Sequence, residues 1–69
     1  MKNEQIEKAF TYHAPKEEQP KKYGFIRDHA KEYAEIIDHL CPNSREKSLA
    51  LTKLEEAVFW ANASIARNE

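Results

Sequence analysis

Pro42 constrains this chain more than any other residue, because apolar stripes of helical period run up to it and away from it. A proline inside a helix removes a backbone donor and clashes with the preceding turn, so the upstream helix must stop there. Before it, Tyr23, Ile26, Ala30, Tyr33, Ile37 and Leu40 recur in steps of three and four, which marks one face of a helix. After it, Leu51, Leu54, Val58, Ala61 and Ile65 form a second stripe of the same kind. The intervening "PNSRE" restarts the chain: Asn43 with Glu46 reads as a capping box, and Ser44 as a competing cap. A connection this short requires the two helices to lie antiparallel.

The spacing therefore predicts an all-α fold: a short N-terminal helix followed by an antiparallel two-helix hairpin. The expected segments are a helix over residues 3–9 capped by Asn3, an aromatic loop over 10–16, a helix over 17–41 and a helix over 44–68. Pro20 belongs to the first turn of the second of these helices, with Glu17 and Glu18 at its positive end. Gly24 lies inside that helix and costs it roughly 1 kcal/mol relative to alanine. Two readings of it are open: close approach by a neighbouring backbone or ligand, or a tolerated surface glycine.

With 69 residues the chain is one domain at most, and a domain this small buries too little surface to be comfortably stable alone. Disulfides, a metal or an oligomer usually supply the rest. Cys41 is the sole cysteine, and His13, His29 and His39 show no ligand spacing with it, which leaves oligomerisation. The last helix supports this expectation. Leu49, Phe59 and Trp60 add apolar surface away from its main stripe, and Ala50, Ala57, Ala61, Ala63, Ser64 and Ala66 allow close helix approach. Alanine is also simply a good helix former, but a tryptophan left in water is costly.

The 11 basic and 12 acidic residues leave a net charge of −1, which argues against DNA or RNA polymers as partners. A small anion held by a few converging cations is compatible with it. No apolar run is long enough to span a bilayer, "MKNEQIEKAF" lacks the apolar stretch of a signal peptide, and a lone cysteine suits a reducing compartment. The expected location is the cytoplasm.

Catalysis has little material. Glu55 and Glu56 are adjacent and diverge around the helix, Glu32 and Glu35 sit on a charged face, and one glycine cannot make a phosphate loop. Cys41 reads as a half-buried structural thiol. We expect no enzyme activity and no cofactor or metal.

Binding has more material. The stretch "FTYHAP", residues 10–15, sets Phe10 and Tyr12 in position to present ring faces, and Thr11 and His13 add hydrogen-bonding groups. Stacking a base on an aromatic ring is worth roughly 1–3 kcal/mol. An antiparallel hairpin brings Arg67 near the start of the preceding helix, with Lys21, Lys22 and Arg27. Such a cluster suits a small ligand of bases and phosphates. Equally, Phe10 and Tyr12 can be read as a staple holding the N-terminal segment on the hairpin.

"FTYHAP", "YGFIRDHAKEYAEII" and "CPNSREKSLALTKLEEAVFWANASIARN" together resemble the phage-encoded anti-CBASS sponge family over nearly all of the chain beyond residue 8. That resemblance implies a compact helical homo-hexamer. It implies that the hexamer sequesters, without cleaving, the cyclic oligonucleotide messengers of bacterial CBASS immunity, acting in the host cytoplasm. Cyclic dinucleotides, of which cGAMP is one, would sit between pairs of subunits, and cyclic trinucleotides where three subunits meet. A related sponge family takes ADP-ribose-type signals. By the same resemblance Tyr12 is the base-stacking ring of the dinucleotide pocket and Arg27, or after it Lys22, the phosphate contact, with Phe10 and His13 supporting. Thr11 and Arg67 match the trinucleotide pocket. Ser44, Arg45 and Lys47 match the family stretch with either a binding or a capping role.

Two other readings compete with the sponge. One is an oligomeric interaction module that blocks a host protein through its charged face, "KEYAE" and "TKLEE". The other is a phosphodiesterase for the same signals, which lacks a metal constellation or a paired acid and base.

Overall fold

A computed structural model describes Asn3, Gln5, Ile6, Phe10 and residues 17–69. Two long helices make an antiparallel hairpin, α1 over Gln19–Leu40 and α2 over Arg45–Asn68. Most of the short helix and of the aromatic loop expected ahead of them lies outside the described residues. Asn3 does show the expected capping pattern, its Oδ1 accepting from the backbone N–H of Gln5 at 2.9 Å and of Ile6 at 3.3 Å.

Local chemistry sets the bounds of each helix. Pro20 falls in the first turn of α1, where no intrahelical donor is required. Glu18 occupies the cap position without a side-chain capping bond, so the acidic pair stands just ahead of the helix. Cys41, which precedes Pro42, is extended (φ −99°, ψ 133°), as the proline ring demands, and its N–H closes the helix on Ile37 O at 2.9 Å. Ser44 caps α2: its Oγ accepts from Lys47 N at 3.1 Å and donates to Pro42 O at 3.0 Å. Of the two candidate caps, Ser44 therefore takes the role. Asn43 turns its Oδ1 to the Lys47 ammonium at 3.0 Å.

Lys47 closes the turn. Its Nζ also donates to the Asp38 carbonyl at 2.9 Å and pairs with the Asp38 carboxylate at 2.9 Å. Only 10% of the Lys47 side chain is exposed, against 73% for Asp38, so the ammonium is shielded while the carboxylate stays open to water. The open end is pinned by polar contacts as well. The Gln19 side chain, 2% exposed, donates to Ile65 O at 3.4 Å, and Lys22 pairs with Glu69 at 2.6 Å.

Between these ends the seam is apolar and shallow. Tyr23, Ile26, Ala30, Ala34, Ile37 and Cys41 of α1 face Leu51, Leu54, Val58, Ala61 and Ile65 of α2, all half-buried. The seam departs from the expected stripe in its second half. Tyr33 and Leu40, 58% and 73% exposed, lie outside it, and Ala34 and Cys41 take their places. Small side chains there let the helices approach near the turn. Among the described residues no apolar side chain is fully buried, and Gln19 is the one buried residue. The chain exposes 6062 Å². A compact monomer of 8.1 kDa would expose about 4,500 Å². The excess, roughly 1,500 Å², is about twice what one partner contributes to a standard protein interface.

The two helices expose two apolar surfaces. Phe25, Tyr33, Ile36 and Leu40 run in steps of three to eight along one flank of α1, with His29 stacked on Phe25 at 4.0 Å between ring centroids. Leu49, Phe59 and Trp60 are exposed on α2, and the last two rings meet edge to face at 5.1 Å.

Candidate functional site

Among the described residues, two concavities flank the open end of the hairpin. The first, of about 480 Å³, is lined by Tyr23 from α1 and by Phe59, Asn62, Ala63, Ala66 and Arg67 from α2. These α2 residues recur at helical spacing on a face beside the seam stripe, and Tyr23 meets them because α1 begins where α2 ends. Aromatic rings from both helices wall the groove, alanines floor it, and Arg67 supplies the charge. Arg67 is half-buried, and among the described residues no carboxylate pairs with its guanidinium. A cation that always keeps its charge and offers a planar fork of donors is thus available to an anion.

The second concavity, of about 380 Å³, is lined by Glu18, Lys21, Lys22, Phe25, Ile26 and Ile65. Lys22 and Phe25 lie roughly 100–160° around α1 from Tyr23, which separates this surface from the first. Lys22 is engaged by the Glu69 carboxylate at 2.6 Å, so a phosphate arriving there must compete with it.

Of the residues expected in a dinucleotide site, Lys22 lines the second concavity. Arg27 lies about 140° around the helix from Lys22 and lines neither concavity. Its Nε stands 3.6 Å from Asp28 Oδ1, both side chains largely in solvent, a pairing that contributes little and leaves the guanidinium available. Within one protomer these two cations do not converge. Phe10 is 85% exposed and lines neither of these two concavities. Tyr12 and His13 lie outside the described residues. Of the two residues expected in a trinucleotide site, Arg67 lines the first concavity and Thr11 lies outside the described residues.

Sequence reasoning did not single out Asn62. Its Oδ1 is buried without a hydrogen-bond partner, in a residue that lines the Arg67 groove. The signal was faint but present: Phe59, Asn62, Ala63, Ala66 and Arg67 make a second stripe at steps of three and four, displaced from the seam. Ser44 and Lys47 belong to the turn at the far end of the hairpin, where their bonds cap α2 and close the loop. Gly24 has negative φ, and a Cβ built on it would meet Arg27 Nη2 at 3.6 Å, an ordinary contact.

Both concavities are open. Ligand sites usually cover 70–90% or more of a drug-sized molecule, and a cyclic oligonucleotide is larger than that. A second chain packed over either surface would complete its walls.

A family model described as Acb2/Tad1, hairpin domain, matches residues 2–66. No curated protein and no solved structure matched the chain.

Proposed function

The chain belongs to the Acb2/Tad1 hairpin-domain family, and on that premise we propose that it is an anti-CBASS sponge, which binds cyclic di- and trinucleotide messengers and withholds them without cleaving them. The observation that carries this reading is the Arg67 groove, an aromatic-walled surface whose guanidinium meets no carboxylate among the described residues, which also hold no buried apolar side chain. Base faces suit Tyr23 and Phe59, and a phosphate suits Arg67. If sequestration means nanomolar affinity, about −12 kcal/mol is required, which a half-open groove on a 69-residue hairpin does not supply. A homo-oligomer, hexameric by the resemblance, supplies it by sharing each site between chains. The exposed stripes on α1 and α2 are the surfaces available for that assembly.

In this reading Tyr12 stacks on a base of the cyclic dinucleotide. Arg27 reaches its phosphate from one subunit, with Phe10, His13 and Lys22 around the site. Thr11 and Arg67 serve the trinucleotide. The separation of Arg27 from Lys22 and from the Arg67 groove fits sites built from more than one chain. An ADP-ribose-type ligand is the second reading, since it presents the same rings and phosphates.

The test is isothermal titration with a cyclic dinucleotide and a cyclic trinucleotide on wild type, Tyr12→Ala and Arg67→Ala. Tyr12→Ala is expected to abolish dinucleotide binding with the oligomer intact, and Arg67→Ala to weaken trinucleotide binding alone. Equal losses for both ligands in either variant would contradict two separate sites. Ligand recovered unchanged after denaturing the complex is expected; hydrolysed product would mean an enzyme.

A further inference from the structure

Phe25, Tyr33, Ile36 and Leu40 make a ridge of exposed large side chains on one flank of α1, with His29 stacked on Phe25 within it. The same flank of the hairpin has a second half. On α2 the exposed Ala50, Ala57 and Ser64 form a row roughly 60–100° around the helix from the seam stripe. They lie on the side of that stripe away from Phe59, Asn62 and Ala66, which wall the first concavity. That is the side on which Phe25 of α1 and Ile65 of α2 meet in the second concavity. One face of the hairpin therefore carries a ridge along α1 and, beside it, a trough along α2.

The hairpin register sets which residues stand level. Gln19 bonds to Ile65 at the open end and Lys47 to Asp38 at the turn. Between these anchors His29 stands level with Ala57 and Ile36 with Ala50, to within about one residue, and Tyr33 falls between the two alanines. Two copies can close face to face about a two-fold axis in two ways. An axis across the helices stacks ridge on ridge, and the large side chains then hold the two troughs apart over empty space, which a close-packed interface does not leave. An axis along the helices lays each ridge in the other copy's trough. That rotation carries no translation, so level residues stay level across the boundary. His29 then meets the partner's Ala57, and Ile36 meets the partner's Ala50, large against small at each step.

The rims of this face match as well. Glu32 and His39 border the ridge on its outer side, and Lys53 and Glu46 border the trough, all four exposed. In the same pairing Glu32 faces the partner's Lys53, and His39 faces the partner's Glu46. Within its own helix Lys53 stands 3.5 Å from Glu56 with 73% of its side chain exposed, a loose pairing from which it can turn. Such rim pairs choose the orientation of the copies and add little to its strength.

We propose that this face is a self-complementary interface for a second copy of this chain, the α1 ridge of each seated in the α2 trough of the other, which gives an antiparallel four-helix bundle. The proposal rests on the homo-oligomer read above and is independent of the ligand. It also lays the end of the partner's α2 across the second concavity, the one that holds Lys22.

The test places single cysteines on separate chains in a Cys41→Ser background. His29→Cys and Ala57→Cys proteins are co-expressed with different tags, purified and oxidised. A disulfide-linked heterodimer of the two is expected, because facing positions on packed helices come within disulfide reach. His29→Cys linked instead to a second α1 position, Tyr33→Cys or Leu40→Cys, would place ridge on ridge and overturn the pairing. Assembled protein that forms no link between His29→Cys and Ala57→Cys would overturn it too. Both results leave the sponge standing. Wild type that stays monomeric in light scattering would overturn the inference together with the oligomer that the sponge requires. Should a cysteine variant fail to assemble, wild type decides. Zero-length carbodiimide crosslinking of mixed isotopically light and heavy protein is expected to join Glu32 of one copy to Lys53 of the other, and links confined to single chains would overturn the proposal.

Discussion

Ser44 and Asn43 compete for one job, and the outcome can be read in stability. Ser44 caps α2 through a 3.1 Å bond to Lys47 N, so Ser44→Ala should lower unfolding free energy by about 1 kcal/mol. Asn43→Ala should cost less than Ser44→Ala, since it leaves the cap in place and removes only the bond to the Lys47 ammonium. Denaturant titration distinguishes the two, and a larger loss for Asn43→Ala would put the cap at the wrong residue. Neither change should alter ligand affinity, because both residues lie at the far end of the hairpin from the grooves. At this scale the sequence was only partly legible. Arg67 could be placed at the start of the preceding helix from antiparallel geometry alone. Ser44 against Asn43 could not be decided, because both are good caps and one residue of register separates them. Asn62 stood out only once the burial of its carbonyl was known.

At the scale of elements, Pro42 and the two stripes were enough to give the hairpin. The seam itself was harder to read. From Ala30 a step of three reaches Tyr33 and a step of four reaches Ala34, and both are compatible with a helical period. Packing selects Ala34, because a tyrosine at that point would hold α1 and α2 apart, and Tyr33 turns outward with Leu40. The Lys47 latch was equally hidden, since it depends on the carbonyl and carboxylate of Asp38 meeting one ammonium across the turn. Lys47→Met retains most of the stem and removes the charge, leaving the Asp38 contacts unmade. We expect a loss of about 1 kcal/mol, the net worth of a typical hydrogen bond, because the exposed Asp38 carboxylate turns to water instead. Thermal unfolding checks this, and an unchanged Tm would mean that water replaces the latch at no cost. Gly24→Ala should act in the opposite direction. Its backbone is helical and the space beside it is ordinary, so alanine should stabilise by up to about 1 kcal/mol. Loss of assembly in that variant would instead place a neighbouring subunit against Gly24.

At the scale of the whole molecule, the described residues make a hairpin that buries little of its own apolar surface. The described residues contain no buried apolar side chain, yet Phe25, Tyr33, Ile36 and Leu40 line one flank and Leu49, Phe59 and Trp60 another. Chain length and the surplus apolar face of α2 had already called for more than one copy, and the exposed stripe on α1 adds a second surface. The number and arrangement of copies in the proposed assembly were not legible from periodicity, which describes faces and not their partners. Leu40→Glu should shift the protein to smaller species in sedimentation at micromolar concentration, since a carboxylate buried against another subunit is heavily penalised. Lys53→Glu, on a solvated position, should not.

Native mass spectrometry, run on the protein alone and with a cyclic dinucleotide and a cyclic trinucleotide added separately and together, tests most directly whether assembly makes the binding sites. A hexamer that takes up both ligands, neither displacing the other, is the expected result. A monomer that binds either ligand at full affinity would contradict the shared site, and an oligomer that binds neither would contradict the sponge.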